Sequence, residues 1–208
     1  MSIKKILLLA SMALAVVAFA APAAQAHPEW YLNEETVEGE IEEVTLEGSL
    51  SSVAAVTSGP CNVTFEGTVF NENEMAGGVI KKGTIQEHCP VAGIPGCSFT
   101  PTLEIGTGWK ITGITVTEGL EAIEIQNAAF DNHYNNVCQA VGLPATVTAQ
   151  GTATGLVEQT GPGAHRCVTF EGHKDHMKIT FPPVESAVDI EGTVCITKPA
   201  GLTLTPHA

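Results

Sequence analysis

The histidine at position 27 is placed where it could bind copper. It directly follows the A-x-A segment 24–26, which has the small-residue pattern of a signal-peptidase cleavage site. Cleavage there would give His27 a free amine, so that the amine and a ring nitrogen could both bind a copper ion. His88 and His133 are the candidates for a second histidine ligand.

Proteins that begin with histidine after processing include two copper families. In this one feature the chain resembles copper-dependent polysaccharide monooxygenases and periplasmic copper carriers. The rest of the start, PEWYLNEE, matches no motif of either family. The N-terminal copper site is therefore an alternative hypothesis, and no metal site is assigned.

Three more histidines are close together in the C-terminal third, at His165, His173 and His176. The tetrapeptide HKDH has the residue types of a metal-binding pair. However, residues three apart on an extended strand point to opposite faces. Because Gly172–Asp175 lies between the strand-like runs VTF and MKITF, we predict a hairpin loop here.

Acidic residues are concentrated near the start of the mature chain. Residues 29–47 contain eight glutamates and no basic residue. Calcium loops favour closely spaced Asp and Asn, and the whole chain has only three aspartates, so we predict a solvated pair of acidic strands. The apolar phase changes between Ile41 and Val44, which predicts a β-bulge near Glu42 and Glu43.

The polar segment DNHYNN, residues 131–136, follows a strand that the alternation predicts to end at Phe130. Its oxygen-bearing side chains could bind a cation. Asn and Asp are also common turn residues, and we predict a turn.

The dipeptide Glu-Gly recurs along the chain, and the longer string VTFEG occurs twice, each time just after a cysteine. The six glycines of the dipeptide are Gly39, Gly48, Gly67, Gly119, Gly172 and Gly192. Paired glutamates could serve as the carboxylates of a glycosidase. A glycine on the core side of a strand instead allows a bend or the close approach of a facing sheet. We predict the backbone role.

Other enzyme chemistry has little support in the sequence. The chain lacks a G-x-S-x-G motif, and only six serines follow residue 26. Cysteines that are oxidised to disulfides cannot act as thiolate nucleophiles. Sugar-binding platforms need exposed aromatic rings, whereas we expect Trp109, beside Ile111, to pack in the core. Enzymatic activity is therefore left open, and none is favoured.

The N-terminal 26 residues have the features of a signal peptide. Lys4 and Lys5 precede an apolar run over residues 6–19, and the A-x-A site follows. We therefore predict a secreted protein with one domain over residues 27–208, in which residues 27–36 are a candidate flexible segment. No later stretch is apolar enough to predict a transmembrane helix.

The charge of the chain disfavours polyanionic partners. The formal net charge is −14 for the full sequence, and loss of the signal peptide removes two lysines and no acid. Nucleic-acid binding requires clustered Lys and Arg, and Arg166 is the only arginine. We predict no nucleic-acid partner and leave the extracellular or cell-surface partner unknown.

Six cysteines follow the predicted cleavage site, at Cys61, Cys89, Cys97, Cys138, Cys167 and Cys195. An even number in an oxidising compartment predicts three disulfides, with 15 possible pairings. Cys167 and Cys195 lie on the polar faces of strand-like runs and are predicted to pair. For the others we favour Cys61 with Cys89 and Cys97 with Cys138, while a direct link between Cys89 and Cys97 stays possible.

Strand-like alternation runs through most of the mature sequence. In NVTFEGTVF, for example, Val63, Phe65 and Val69 alternate with polar residues, as on a strand with one wet face. The alternating runs lie at residues 37–50, 62–70, 109–117, 121–130, 145–157, 177–181 and 187–197. Turn-rich segments separate them. We predict an all-β fold, an antiparallel sandwich or barrel-like domain with three disulfides.

A spaced set of cysteines and hydrophobic residues resembles a pattern in known exported proteins. The set is Cys61, Thr64, Phe65, Gly67, Val69, Cys89, Cys97, Trp109, Phe130 and Cys138. It resembles secreted actinobacterial proteins without an assigned activity, and it is distantly similar to secreted activators of alkane oxidation. The resemblance covers residues 58–150 and omits the acidic N-terminal stretch and the portion that contains Cys167 and Cys195.

The resemblance implies an extracellular accessory protein without a catalytic centre. Together with the composition, it favours a secreted, non-catalytic β protein that works through its surface. The alternative is a secreted metalloprotein with the His27 copper site, or a hydrolase on the same scaffold. A cleft in which at least three His, Asp or Glu side chains converge would favour the alternative.

Overall fold

Antiparallel strands are the main secondary structure of the part of the protein that the structure describes, with one short helix beside them. The computed structural model describes residues 27–53, 57–116, 120–172, 177–181 and 184–206. The strands are β1 (Pro28–Leu32), β2 (Glu35–Thr36), β3 (Glu40–Val53), β4 (Cys61–Glu72), β5 (Met75–Ile85), β6 (Cys89–Pro90), β7 (Ser98–Leu103), β8 (Trp109–Thr115), β9 (Glu121–Tyr134), β10 (Thr146–Val157), β11 (Cys167–Glu171), β12 (Met177–Phe181), β13 (Val184–Lys198) and β14 (Leu202–Pro206). One short helix, α1 (Asn136–Ala140), follows β9. The predicted all-β class is confirmed.

The large sheet closes on itself as an eight-stranded barrel. Its order is β3, β4, β5, β8, β9 and β10, then one position shared by β11 and β12, then β13, which pairs with β3 again. All of these pairings are antiparallel. Of the two predicted architectures, sandwich and barrel, the chain therefore adopts the barrel. The inward-facing residues of a barrel of this size can enclose a small ligand.

The shared position corrects the hairpin that the sequence suggested around HKDH. Strands β11 and β12 both pair with β10 on one side and with β13 on the other. They therefore run in the same direction, one after the other, and do not pair with each other as a hairpin would require. The HKDH residues themselves, 173–176, lie outside the described residues.

The barrel wall has an opening in its backbone hydrogen bonding between β5 and β7. Strand β5 pairs with β8 only through Gly77–Ile80, and its remaining residues to Ile85 pair with β4 alone among the described strands. On the opposite side of this opening, β7 pairs with β9 at residues 130–134. No backbone pairing joins these two strands over the described residues, but side chains fill the opening, since Leu103 of β7 packs against Gly83 of β5.

A small second sheet, in the order β14, β1 and β2, packs beside the barrel. Strand β1 pairs with β14 along its whole length and contacts β4, β5 and β8. Trp30 is 1 % exposed, and its Nε1 donates a hydrogen bond of 2.9 Å to the carbonyl oxygen of Gly77. Residues 27–36, the candidate flexible segment, are thus built into this sheet.

Three glycines of the Glu-Gly dipeptides lie where neighbouring strands come very close. A Cβ atom on Gly67 would overlap the carbonyl oxygen of Val79 on β5, and Gly48 and Gly192 make equally close approaches within the β3–β13 pair. The backbone role is therefore supported, although the close contact is with the adjacent strand of one barrel and not with a facing sheet. Gly119 lies outside the described residues.

The acidic strand follows the prediction in most respects. The register of β3 against β4 shifts between Ile41 and Val44, and Glu43 has a φ of 61°, so the predicted bulge is confirmed. The glutamates of residues 34–47 are exposed. Glu29 differs, since it is buried and accepts a hydrogen bond from the hydroxyl of Tyr31 at 3.2 Å.

Three disulfides connect the strands in the pairings that the sequence favoured. They are Cys61–Cys89, Cys97–Cys138 and Cys167–Cys195. The last pair lies directly opposite across β11 and β13. The first bridge connects the start of β4 to β6, which extends the wall at the end of the barrel where β5 and β7 diverge.

Candidate functional site

The histidines of the copper hypothesis lie at different ends of the barrel. Pro28, next to His27, lies close to Gly113 of β8, which pairs with Ile123 on β9. His133 is ten residues further along β9, which at about 3.3 Å per residue is about 30 Å away. It is exposed and within 3.1 Å of the hydroxyl of Thr146. The structure therefore does not bring His27 and His133 together.

His88 lies at the same end of the barrel as His133. It is exposed and precedes Cys89, which pairs with Phe99, the strand partner of Tyr134. Over the ranges that the structure describes, no group of three or more His, Cys, Asp or Glu residues is arranged to hold a metal ion. His173 and His176 lie outside those ranges.

Glu121 is a titratable group that the sequence analysis missed. It is 4 % exposed at the start of β9, and burial raises the pKa of its carboxyl group. Two smaller effects lower this pKa: a hydrogen bond of 3.1 Å from Nε2 of Gln159, and the charge of nearby His165. The sequence did contain a signal for this burial. Glu121 alternates in step with Ile123 and Ile125, so all three side chains lie on the inward face of the strand.

The neighbouring carboxylate, Glu158, has a different role. Its Oε1 accepts a hydrogen bond of 3.1 Å from the hydroxyl of Thr169, and its backbone carbonyl accepts one of 2.6 Å from the amide of His165. These contacts connect the 158–167 turn to β11. Glu121 is therefore a buried acid next to the turn that contains His165. The hydrogen bonds of Glu158 hold that turn in place and have a structural role.

The inward-facing side chains of the barrel surround an apolar cavity of about 80 Å³. Its wall is formed by inward-facing side chains of the barrel strands. They include Phe65 of β4, Trp109 of β8, Ile125 of β9, Phe170 of β11, Met177 of β12 and Ile190 of β13. These side chains are buried, and they converge because alternate residues of every strand point inward.

The cavity remains partly because some inward-facing residues of the barrel have small side chains. Ala128 on β9 and Ala153 on β10 both line the cavity and are buried. The rings of Phe65 and Trp109, which also line the cavity, pack at a centroid distance of 5.8 Å. The role of Trp109 in the core is thus confirmed, and its ring also forms part of the cavity wall.

Partly exposed hydrophobic side chains connect the cavity to the opening in the wall. Ile85 of β5 and Leu103 of β7 line the cavity on the two sides of the opening, and Leu50 and Phe130 line it as well. The opening exists because β5 and β7 do not pair there. Because Leu103 packs against Gly83 across it, the Leu103 side chain must move for a ligand to enter between these two strands.

The polar segment 131–136 is not the turn that the sequence suggested. Strand β9 continues to Tyr134, Asn135 caps helix α1, and Asp131 accepts a short hydrogen bond of 2.6 Å from the hydroxyl of Thr148. Pairing of β9 with both β7 and β10 outweighs the local turn preference of these residues. As a result, Asn132 points inward and lines the cavity.

The described residues contain no helix that is long and apolar enough to cross a membrane. Comparison of the chain with family models, with curated proteins and with solved structures finds no match. The resemblance to secreted actinobacterial proteins therefore stays a prediction.

Proposed function

We propose that this protein is exported and acts without catalysis, as a binding protein that holds a small apolar molecule inside its barrel. The observation that carries the proposal is the cavity behind the gap between β5 and β7. Transfer of an apolar molecule from water into such a space is favourable. A binding site of this kind supports the accessory role expected from the sequence.

Export to the extracellular space or the cell surface accords with the chain's covalent structure. All six cysteines pair as disulfides, and none is free. Such bonds form and persist in oxidising compartments. Together with the signal-peptide features of residues 1–26, they support a secreted protein.

The size of the cavity limits its ligand. A cavity of about 150 Å³ lined by Leu, Ile and Phe holds benzene, whereas one water molecule accounts for about 30 Å³ of liquid. At about 80 Å³, the space inside this barrel suits a short aliphatic group. A longer chain would have to extend through the opening, past Ile85 and Leu103.

Titration of the processed protein with propane tests the proposal. We expect shifts in the ¹³C-methyl NMR signals of Ile125, Met177 and Ile190, with a dissociation constant on the order of 1 mM for a ligand of this size. Replacement of Ala128 by Leu fills the cavity and should abolish the shifts. Shifts confined to surface methyl groups, or none, would contradict the proposal.

The control is Ala129→Leu. Ala129 is adjacent to Ala128 on β9 but does not line the cavity. This variant adds the same side-chain atoms outside the binding space, so it should bind propane as the unmodified protein does. A loss of binding in both variants would show that the first result reflects damage to β9.

A further inference from the structure

A groove of about 600 Å³ lies between the small second sheet and the start of β3. Known ligand sites have volumes of about 300–1,000 Å³. The groove shares no lining residue with the barrel cavity. We call it the β2 groove, and its lining residues are Leu32, Glu35, Thr36, Val37, Glu38 and Ile41.

The β2 groove runs along the outer edge of β2. Four consecutive residues, 35–38, line it, whereas consecutive side chains of a strand point to opposite faces. The groove therefore follows the edge of the strand and not one of its faces. Among the described strands, β2 pairs with β1 alone, so this edge has no neighbouring strand.

The backbone of Thr36 is directed to this edge. The amide of Val37 donates a hydrogen bond of 3.0 Å to the carbonyl oxygen of Trp30, so these two residues are a hydrogen-bonded pair. Hydrogen-bonded and non-hydrogen-bonded pairs alternate along an antiparallel ladder. In the next pair, Thr36 with Tyr31, the N–H and C=O groups of Thr36 therefore point away from β1, where an added strand can pair with them.

The side chains of the β2 groove form an apolar part and an acidic part. Val37 is buried, and Leu32 and Ile41 are partly buried against the core. Glu35 and Glu38 are exposed, and neither is part of an ion pair among the described residues. An extended segment that alternates apolar and basic residues matches both parts.

The charge of this edge disfavours a second copy of the same chain. Residues 29–47 contain eight glutamates and no Lys or Arg, in a chain with a formal net charge of −14. Charged side chains on an edge strand oppose its pairing with a like strand. A basic segment is instead attracted, because complementary charge favours encounter and fixes the register.

We infer that the β2 groove binds a basic peptide segment of another protein, which adds as an extended strand beside β2. The peptide backbone pairs with Thr36. Apolar side chains of the peptide contact Leu32 and Ile41, and its Lys or Arg side chains pair with the groove carboxylates. In this mode of recognition, main-chain hydrogen bonds give affinity and side-chain contacts give specificity. The inference goes beyond the proposed function and does not depend on it.

Titration with a short synthetic peptide tests the inference. The probe is acetyl-Lys-Val-Lys-Val-Lys-amide, added to the processed protein and followed by NMR. We expect shifts at the amide of Thr36 and the methyl groups of Leu32 and Ile41, with a dissociation constant on the order of 1 mM. The acidic peptide acetyl-Glu-Val-Glu-Val-Glu-amide should not bind. Equal binding of both peptides, or no binding of the basic one, would overturn the inference.

A charge variant shows whether the β2 groove itself binds the peptide. In Glu35→Gln with Glu38→Gln, we expect the affinity to fall about fivefold, because two exposed ion pairs are lost. The matched control, Glu47→Gln with Glu87→Gln, changes the net charge equally at two exposed residues outside the groove. Salt screens distant charges, so the control should bind as the unmodified protein does. Equal losses in both variants would mean attraction to the net charge alone and would rule out this site.

A modified probe tests the strand pairing. N-methylation of the central lysine and the next valine removes one N–H group from each edge of the peptide and keeps every side chain. We expect its affinity to be about fivefold lower or less, because a main-chain hydrogen bond to Thr36 is lost. An unchanged affinity would contradict pairing with β2, and the inference would then be wrong.

Discussion

Polar side chains at inward positions of β9 are the least expected residues of this protein. Glu121 and Asn132 occupy the two ends of the strand, and both are almost fully buried. The alternation of β9 identifies Glu121 as inward-facing, but it does not reveal Asn132. Asn127, a bulge residue with a φ of 60°, divides β9 into two halves. The second half contains Asn and Asp, whose turn preference led the sequence analysis to predict a turn there instead of a strand.

Glu121 should make the stability of the protein depend on pH in a defined direction. Burial raises the pKa of its carboxyl group above the ordinary value of 4.5, so the folded state holds this proton more tightly than the unfolded state does. The free energy of unfolding from this group therefore decreases as the pH rises from 4.5 through the raised pKa. Below about pH 4.5 the carboxyl group is protonated in both the folded and the unfolded state, so it no longer changes the free energy of unfolding.

Replacement of Glu121 by Gln tests that dependence, because the amide has no charge to desolvate and can still accept the hydrogen bond from Gln159. We expect the variant to be more stable than the unmodified protein at pH 7 and equally stable below about pH 4, measured by urea unfolding across this range. A variant that is less stable at pH 7 would show that the carboxylate is stabilising where it lies.

At the scale of the strands, alternation predicts the elements with one wet face well. The runs at 109–117, 145–157 and 187–197 correspond closely to β8, β10 and β13. Strand β5 is missed because glycine and lysine interrupt its pattern. The closure through β11 and β12 is missed because it depends on pairing between distant segments, which local sequence does not encode.

The close approach of neighbouring strands predicts a large effect of one methyl group. Replacement of Gly67 by Ala would place a Cβ atom against the backbone of Val79 and Ile80. We expect a loss of about 1–3 kcal/mol in the free energy of unfolding, since the two strands must separate. Urea unfolding followed by far-UV circular dichroism measures this loss.

The control for this prediction is the other half of the dipeptide. Glu66 is exposed and forms an ion pair of 3.9 Å with Lys82, and such surface pairs contribute little. Glu66→Gln should therefore change the free energy of unfolding by less than about 0.5 kcal/mol. The opposite order of effects would mean that the glutamate, and not the glycine, is the important residue.

At the scale of the whole molecule, the cavity is a property that the sequence could not give. The hydrophobic pattern predicts an apolar interior, and Phe65, Trp109 and Ile125 are recognisable as part of it. Whether such side chains fill the interior depends on the barrel geometry and on small residues such as Ala128 and Ala153. The binding site is therefore a consequence of closure, which only the three-dimensional structure displays.

A crystal structure of the processed protein under xenon pressure would test directly whether the barrel encloses an apolar binding space. Xenon enters dry cavities lined by hydrophobic side chains. We expect a xenon atom inside the barrel, in contact with Phe65, Ile125 or Met177. Side chains that fill this space, with no xenon bound there, would contradict the proposed function.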